Sequence, residues 1–259
     1  MPVYPITPGV FAIPLGGVNA FLLAMDDVLT LIDTGSITSA ETVLHAVRAV
    51  GYAPTALRHI LVTHCHADHA GSLAALKAAT GAHAWMHPLD AAMVRTGAAW
   101  RTATQPTPGL LNHVIYRQRV APTPRIIPPA VIEHEVVDGD ILPIAGGIQA
   151  IHAPGHSAGQ LAWLWPQQGG VLFAADAAVN VVALRLAPSY ESLEDGLHTL
   201  ARLSRLTFET ACFGHGSAIV HGADVRFRRK WLSHAPCPAA CRSVTGTLLM
   251  APRSALRPQ

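Results

Sequence analysis

The chain has 259 residues, half of them hydrophobic and only 13% charged. That balance excludes a disordered polyelectrolyte and leaves ample apolar surface for a core without a disulfide framework. Eighteen basic against sixteen acidic side chains give a formal charge of +2, too small to draw a nucleic acid.

In chain order, residues 10–13 predict a strand, with a turn at Leu15-Gly16-Gly17. Residues 20–25 and 28–32 predict two more, joined by a hairpin turn at Asp26-Asp27. Residues 38–50 predict an amphipathic helix, because Val43, Leu44, Val47 and Val50 fall at helical spacing and Gly51 stops it. A short apolar strand is expected at 59–63, a helix at 71–80 ended by Gly81, a strand at 83–86, and a helix at 88–95 opened by Pro88. Residues 97–130 hold six prolines and little periodicity, which marks a long irregular stretch, a functional loop or a mobile one. Strands return at 131–137, 141–144, 148–152, 160–165 and 171–174, then a helix at 191–203, a strand at 210–213 and a helix at 222–232. Residues 235–259 are rich in Pro, Ala, Ser and Arg and read as a poorly ordered tail behind one domain over 1–234. Runs of strands on either side of a mixed region predict two sheets with helices outside, an α/β or α+β fold.

The longest apolar stretches, 10–25 and 170–184, are interrupted by Pro14, Gly16, Gly17 and Asn19 and by Asp176, so no membrane span is expected. The first arginine is Arg48, so no export signal is expected either. Four unevenly spaced cysteines, Cys65, Cys212, Cys237 and Cys241, point to a reduced, cytoplasmic setting.

Histidine is the outlier, with fifteen in the chain. The densest cluster is Thr63-His64-Cys65-His66-Ala67-Asp68-His69, behind an apolar strand and ahead of a helix. In extended backbone alternate side chains share a direction, so His64 and His66 converge and Cys65 points away. Asp68 and His69 lie in the turn that follows. Imidazoles and a carboxylate this close suit zinc or a similar first-row ion. Three later residues, His156, Asp176 and His215, each follow a short apolar strand. A buried Asp176 needs a partner, and a cation supplies one.

The order His-x-His-x-Asp-His, then His, Asp and His, resembles the metallo-β-lactamase superfamily over roughly residues 10–231, including Ile32-Asp33-Thr34-Gly35. The resemblance implies an αββα sandwich: two mixed sheets face to face, helices on the outer faces, metals at one edge. It implies one metal held by His64, His66 and His156, a second by Asp68, His69 and His215, and Asp176 bridging them. Asp33 matches an aspartate that buttresses the metal loop. The implied cofactor is a zinc pair, with iron or manganese as alternatives.

Two divalent ions about 3.5–4 Å apart share a water and acidify it, which yields a nucleophilic hydroxide. Asp68 is the candidate proton shuttle. The expected reaction is hydrolysis of an ester, lactone or thioester in a small-molecule substrate. A phosphodiesterase on the same scaffold and an iron-dependent sulfur dioxygenase are the alternatives, and a homodimer is left open. Within the family, glutathione-thioester hydrolases carry a further helical domain after the last histidine, whereas only residues 216–259 follow His215. Acyl-homoserine lactonases carry a tyrosine where this chain has Val179. Antibiotic-degrading members lack the bridging aspartate, and flavodiiron proteins replace the second histidine with glutamate, so Asp176 and His66 point away from both.

The 97–130 segment is the candidate substrate wall, with Trp100, Leu110, Leu111 and Tyr116 for apolar contact and Arg101, Arg117 or Arg119 for an anionic group, and a lid or dimer contact with no substrate role is the alternative. The run Arg226-Phe227-Arg228-Arg229-Lys230 reads as a solvated helix face, not a nucleic-acid site.

Overall fold

A computed structural model describes residues 3–101 and 104–234 of the chain. The expected tail at 235–259, with Cys237 and Cys241, lies outside the described residues.

The first half opens as an antiparallel meander of β1 (Tyr4–Thr7), β2 (Val10–Pro14), β3 (Asn19–Met25) and β4 (Val28–Ile32). Helix α1 (Ala40–Ala49) then crosses over to β5 (Leu57–Leu61), which runs parallel to β4. A short helix α2 (Ala67–Ala70) and α3 (Leu73–Thr80) lead to β6 (His83–Met86), parallel to β5. Beyond α4 (Pro88–Thr96) the chain forms β7 (Gln105–Pro106), α5 (Leu110–Ile115) and a π-helical turn at Tyr116–Val120, then β8 (His134–Glu135) beside β6. The first sheet has the order β1-β2-β3-β4-β5-β6-β8. β1 was not expected; it is an edge strand, which tolerates Pro5.

The second half repeats the plan. β9 (Ile141–Leu142), β10 (Ile148–His152), β11 (Leu161–Trp165) and β12 (Val171–Phe173) form an antiparallel meander. After β13 (Ser189–Tyr190), which pairs with β7, α6 (Leu193–Leu203) crosses over to β14 (Thr210–Cys212), parallel to β12, and α7 (Ala223–Trp231) follows. The second sheet has the order β14-β12-β11-β10-β9.

Strand alternation sorts the apolar residues into three layers. Phe21 and Leu23 face Ile148, Trp163 and Phe173 between the sheets, with the Phe21 and Phe173 rings 5.5 Å apart. Their neighbours Leu22, Leu29 and Leu31 point outward and are covered by Val43 and Val47 of α1 and Leu76 of α3. On the far side Ile151, Leu172 and Ala211 are covered by Leu200 of α6 and Phe227 and Trp231 of α7. Burying each large apolar side chain is worth about 1.5–3 kcal/mol. The result is the αββα sandwich.

Two expectations are corrected. The strands at 131–137 and 141–144 shrink to two residues each, because these segments lie on sheet edges and their outer residues Val131, Val137 and Ile141 are exposed. The 97–130 segment is not wholly irregular. It carries α5 and the π turn, opened by Gly109, with Leu110, Leu111, Val114 and Ile115 on a helical repeat that the flanking prolines obscure.

Candidate metal centre

β4, β5, β10, β12 and β14 all end at the same edge of the sandwich, and the residues just past those ends meet there. His64, His66 and His156 form one cluster of ligand atoms within 4.8 Å of one another, and Asp68, His69 and His215 form a second. Asp176 lies between them. Its Oδ2 is 3.1 Å from His215 Nε2 and 3.5 Å from His156 Nε2, while Oδ1 is 3.7 Å from His69 Nε2. All seven sequence candidates are thus brought together. Asp68 and His69 sit in the first turn of α2, a helix where a turn was expected.

The surroundings dictate which nitrogen of each imidazole faces the cluster. A carbonyl or carboxylate oxygen only accepts, so its partner nitrogen carries the proton. His156 Nδ1 donates to Ser189 O (2.9 Å) and His215 Nδ1 to Gly17 O (2.7 Å). His69 Nδ1 donates to Asp33 Oδ2 (2.8 Å). The Thr63 hydroxyl donates to the same Oδ2 (2.8 Å), so it accepts from His64 Nδ1 (2.9 Å). Four rings are therefore locked with Nε2 turned inward. The Nε2 atoms of His64 and His69 and Oδ1 of Asp176 are buried with no hydrogen-bond partner in the protein. His66 Nδ1 stands 3.0 Å from His156 Nε2, a second pair of nitrogens meeting at one point.

Electrostatics agree with a cation at this point. Burial, reinforced by neighbouring imidazoles, holds His64 and His66 well below the ordinary histidine range, so they stay neutral, the form a metal ligand requires. Burial also opposes charge on His69, but Asp68, Asp176 and Asp33 outweigh it and push the ring up to about 10. His215 is raised in the same way, against burial, by Asp176 and Asp68. Asp176 and Asp68 are themselves held below the carboxylate range despite burial, by His215 and His69. The carboxylates pull positive charge inward, and a divalent cation at these atoms replaces the protons they would otherwise gather. Inward lone pairs, orphaned buried atoms and a neutralising carboxylate set all fit a pair of divalent metals.

The scaffold is tight. Asp33 and Ala175, the residue before Asp176, adopt left-handed backbone at φ +60° and +49°, at roughly 1–2 kcal/mol each. Gly214 leaves no room for a side chain, since a Cβ would lie 2.1 Å from Asp176 Oδ1. Asn19 of β3 ties the sheets together at the site, its backbone N–H and side chain bonding to the carbonyls of Gly214, Phe213 and Gly216.

One residue that matters was not expected. Asp90 in α4 is completely buried and accepts from Cys65 N, Ser157 Oγ, Gly159 N and the Arg101 guanidinium. It clamps the 64–69 loop to the loop carrying His156. An aspartate in the first turn of a helix is ordinary, so nothing in the sequence distinguishes it. Arg101 belongs to this clamp, bonding Asp90 and Glu191, and does not face a substrate. Cys65 points into the core, as alternation requires, and His152 stacks on His87 with ring centroids 4.3 Å apart.

Above the cluster opens a cavity of about 810 Å³. Trp100, Leu111 and Arg119 line it as expected, and Trp100 stacks on His66 at 4.4 Å. Leu110, Tyr116 and Arg117 do not. Val179, Val181, Val182 and Arg185 supply a wall that was not anticipated.

A family model described as the metallo-beta-lactamase superfamily matches residues 13–215. Among curated proteins, a hydroxyacylglutathione hydrolase of Rhodobacter capsulatus is 32% identical over 64% of this chain and 51% of its own length. The uncharacterized protein YobT of Bacillus subtilis is 30% identical over 62% of this chain and 61% of its own. The chain thus spans about half to three-fifths of these relatives. Among solved structures, a metallo-β-lactamase of Cronobacter sakazakii superposes with a TM-score of 0.65 at 23% identity, covering 83% of this chain and 81% of the other. The metallo-β-lactamase SMB-1 superposes with a TM-score of 0.67 at 23% identity, covering 83% and 80%. At that identity the likeness concerns the fold.

Proposed function

The chain belongs to the metallo-β-lactamase superfamily, and on that premise we propose that it is a hydrolase that cleaves an ester, lactone or thioester with a pair of zinc ions. His64, His66 and His156 would hold one ion, Asp68, His69 and His215 the other, and Asp176 both. The observation that carries this reading is the set of ring orientations: four imidazoles spend Nδ1 on donating outward and turn Nε2 into one pocket. Bound there, the ions supply Lewis acidity to a carbonyl and lower the pKa of a water.

The protein's own groups do the rest. Asp33 and Thr63 hold the His64 and His69 rings in place. Asp68 is 31% exposed, lines the cavity, and keeps Oδ2 3.5 Å from His215 Nε2, which supports reading it as the proton acceptor at the reacting centre. Trp100 over His66 gives the approach an apolar wall on one side, and Val179, Val181 and Val182 line the other. The name of the Rhodobacter relative supports a thioester among the substrates. No helix among the described residues is long and apolar enough to cross a membrane.

The test pairs metal analysis with turnover on one sample. Purified protein should carry close to two zinc ions per chain and hydrolyse 4-nitrophenyl esters, lactones or acyl thioesters. Chelation should abolish the activity, added zinc should restore it, and Asp176→Ala should lose both metal and activity. A zinc-loaded protein inert to the whole panel overturns the proposal.

A further inference from the structure

The cavity holds two arginines that the proposed reaction does not use, Arg119 and Arg185. They reach it from different elements. Arg119 lies in the π-helical turn that continues α5, and such turns are frequent at binding sites. Arg185 lies beyond the loop after Asp176, where its backbone pairs with Val179 through two hydrogen bonds of 2.9 Å. Its guanidinium donates to Asn112 Oδ1 of α5 at 2.5 Å. That bond holds the head group in place without neutralising it, because an amide carries no charge.

The arginines that do pair, such as Arg95, Arg101 and Arg202, meet Glu135, Asp90 and Asp138 elsewhere. Among the described residues neither Arg119 nor Arg185 has an acidic partner. The nearby carboxylates of the same cavity, Asp68 and Asp176, are committed to the histidine cluster. Most of the remaining wall is apolar, with Leu111, Ile115, Val120 and Val179 among its residues. Both arginines line this largely apolar cavity, Arg185 also lining with Asn112 the smaller pocket beside it, and a guanidinium fork without an acidic partner matches a carboxylate in two-pronged geometry.

From this we infer that the substrate is an apolar ester, lactone or thioester bearing a carboxylate remote from its scissile bond, with Arg119 and Arg185 as the anchor for that group. The inference rests on the hydrolase reading and adds to it a substrate class. Arg119 is exposed and Arg185 partly buried, so charge-assisted bonds to them fall at the lower end of about 1.5–3 kcal/mol, roughly a tenfold preference.

The experiment compares 4-nitrophenyl octanoate with the mono-4-nitrophenyl ester of octanedioic acid on zinc-loaded protein. The wild type should prefer the acid ester in kcat/KM by about tenfold or more. The ratio should fall towards one in Arg185→Gln and Arg119→Gln and recover in part in Arg185→Lys. Equal ratios in wild type and both glutamine variants overturn the inference. If neither ester is cleaved by any form, it is the hydrolase reading that fails, and calorimetry with octanedioate decides the anchor. Binding weakened about tenfold in either glutamine variant supports it. Unchanged binding, as when the dicarboxylate sits on the metal centre alone, overturns it.

Discussion

The floor of the cavity and its mouth are built on opposite rules. At the floor the candidate ligands are tied to elements of both sheets, Asp33 and Thr63 behind His64 and His69, Gly17 behind His215, Ser189 behind His156. Most of these side chains are buried, and the backbone is strained where it must be. At the mouth, α5 and the loop between Val179 and Arg185 leave apolar groups in water: Leu110 is 83% exposed, Val181 65% and Val182 93%. A catalytic centre needs atoms held in place, whereas a recognition surface needs apolar area that is covered only when substrate arrives. On the proposed function, the contrast separates the residues that set the reaction from those that set its specificity.

The contrast breaks most severely at Asp90. Asp90→Ala removes the acceptor shared by Cys65, Ser157, Gly159 and Arg101, and leaves buried donors with no partner. Breaking such a buried charged cluster costs about 3–5 kcal/mol. Urea unfolding of zinc-loaded protein should show that loss, and a midpoint equal to wild type would refute the clamp. A smaller effect is expected at Asp33. Asp33→Asn keeps the shape but weakens the acceptor for His69 Nδ1 and the Thr63 hydroxyl. Zinc affinity, measured by competition with a chromophoric chelator, should fall about 10- to 100-fold while the apo fold persists.

The floor was also the more legible part of the sequence. The His64–His69 run packs its donors into six residues, so strand alternation alone brings His64 and His66 together and turns Cys65 into the core. His156, Asp176 and His215 were legible because each follows an apolar strand, and the strand ends meet at one edge. The assignment of ligands to two metals came from family resemblance, not from periodicity. Asp90 left no trace, since its importance lies in contacts to residues 25 and 67–69 positions away. The mouth was poorly legible for another reason. The prolines around α5 mask a helical repeat, and Arg185 comes to line the cavity through a backbone bridge that folds its loop back onto Val179. Arg101 was misread because its partner, Asp90, was itself invisible.

The smallest change sharpens the contrast from the other side. Val182 lines the mouth, yet 93% of it is exposed, so it contributes almost nothing to folding. Val182→Ser should leave the urea midpoint within about 0.5 kcal/mol of wild type. An apolar acyl chain that lies across the mouth buries this side chain only in the bound state. Losing the equivalent of one buried CH2, about 0.8 kcal/mol, should raise KM for 4-nitrophenyl octanoate some three- to fivefold. The contact is the same in the ground and transition states, so kcat should hold. A fall in kcat at constant KM would mean that the loop shapes the reacting centre, and the division between floor and mouth would not stand.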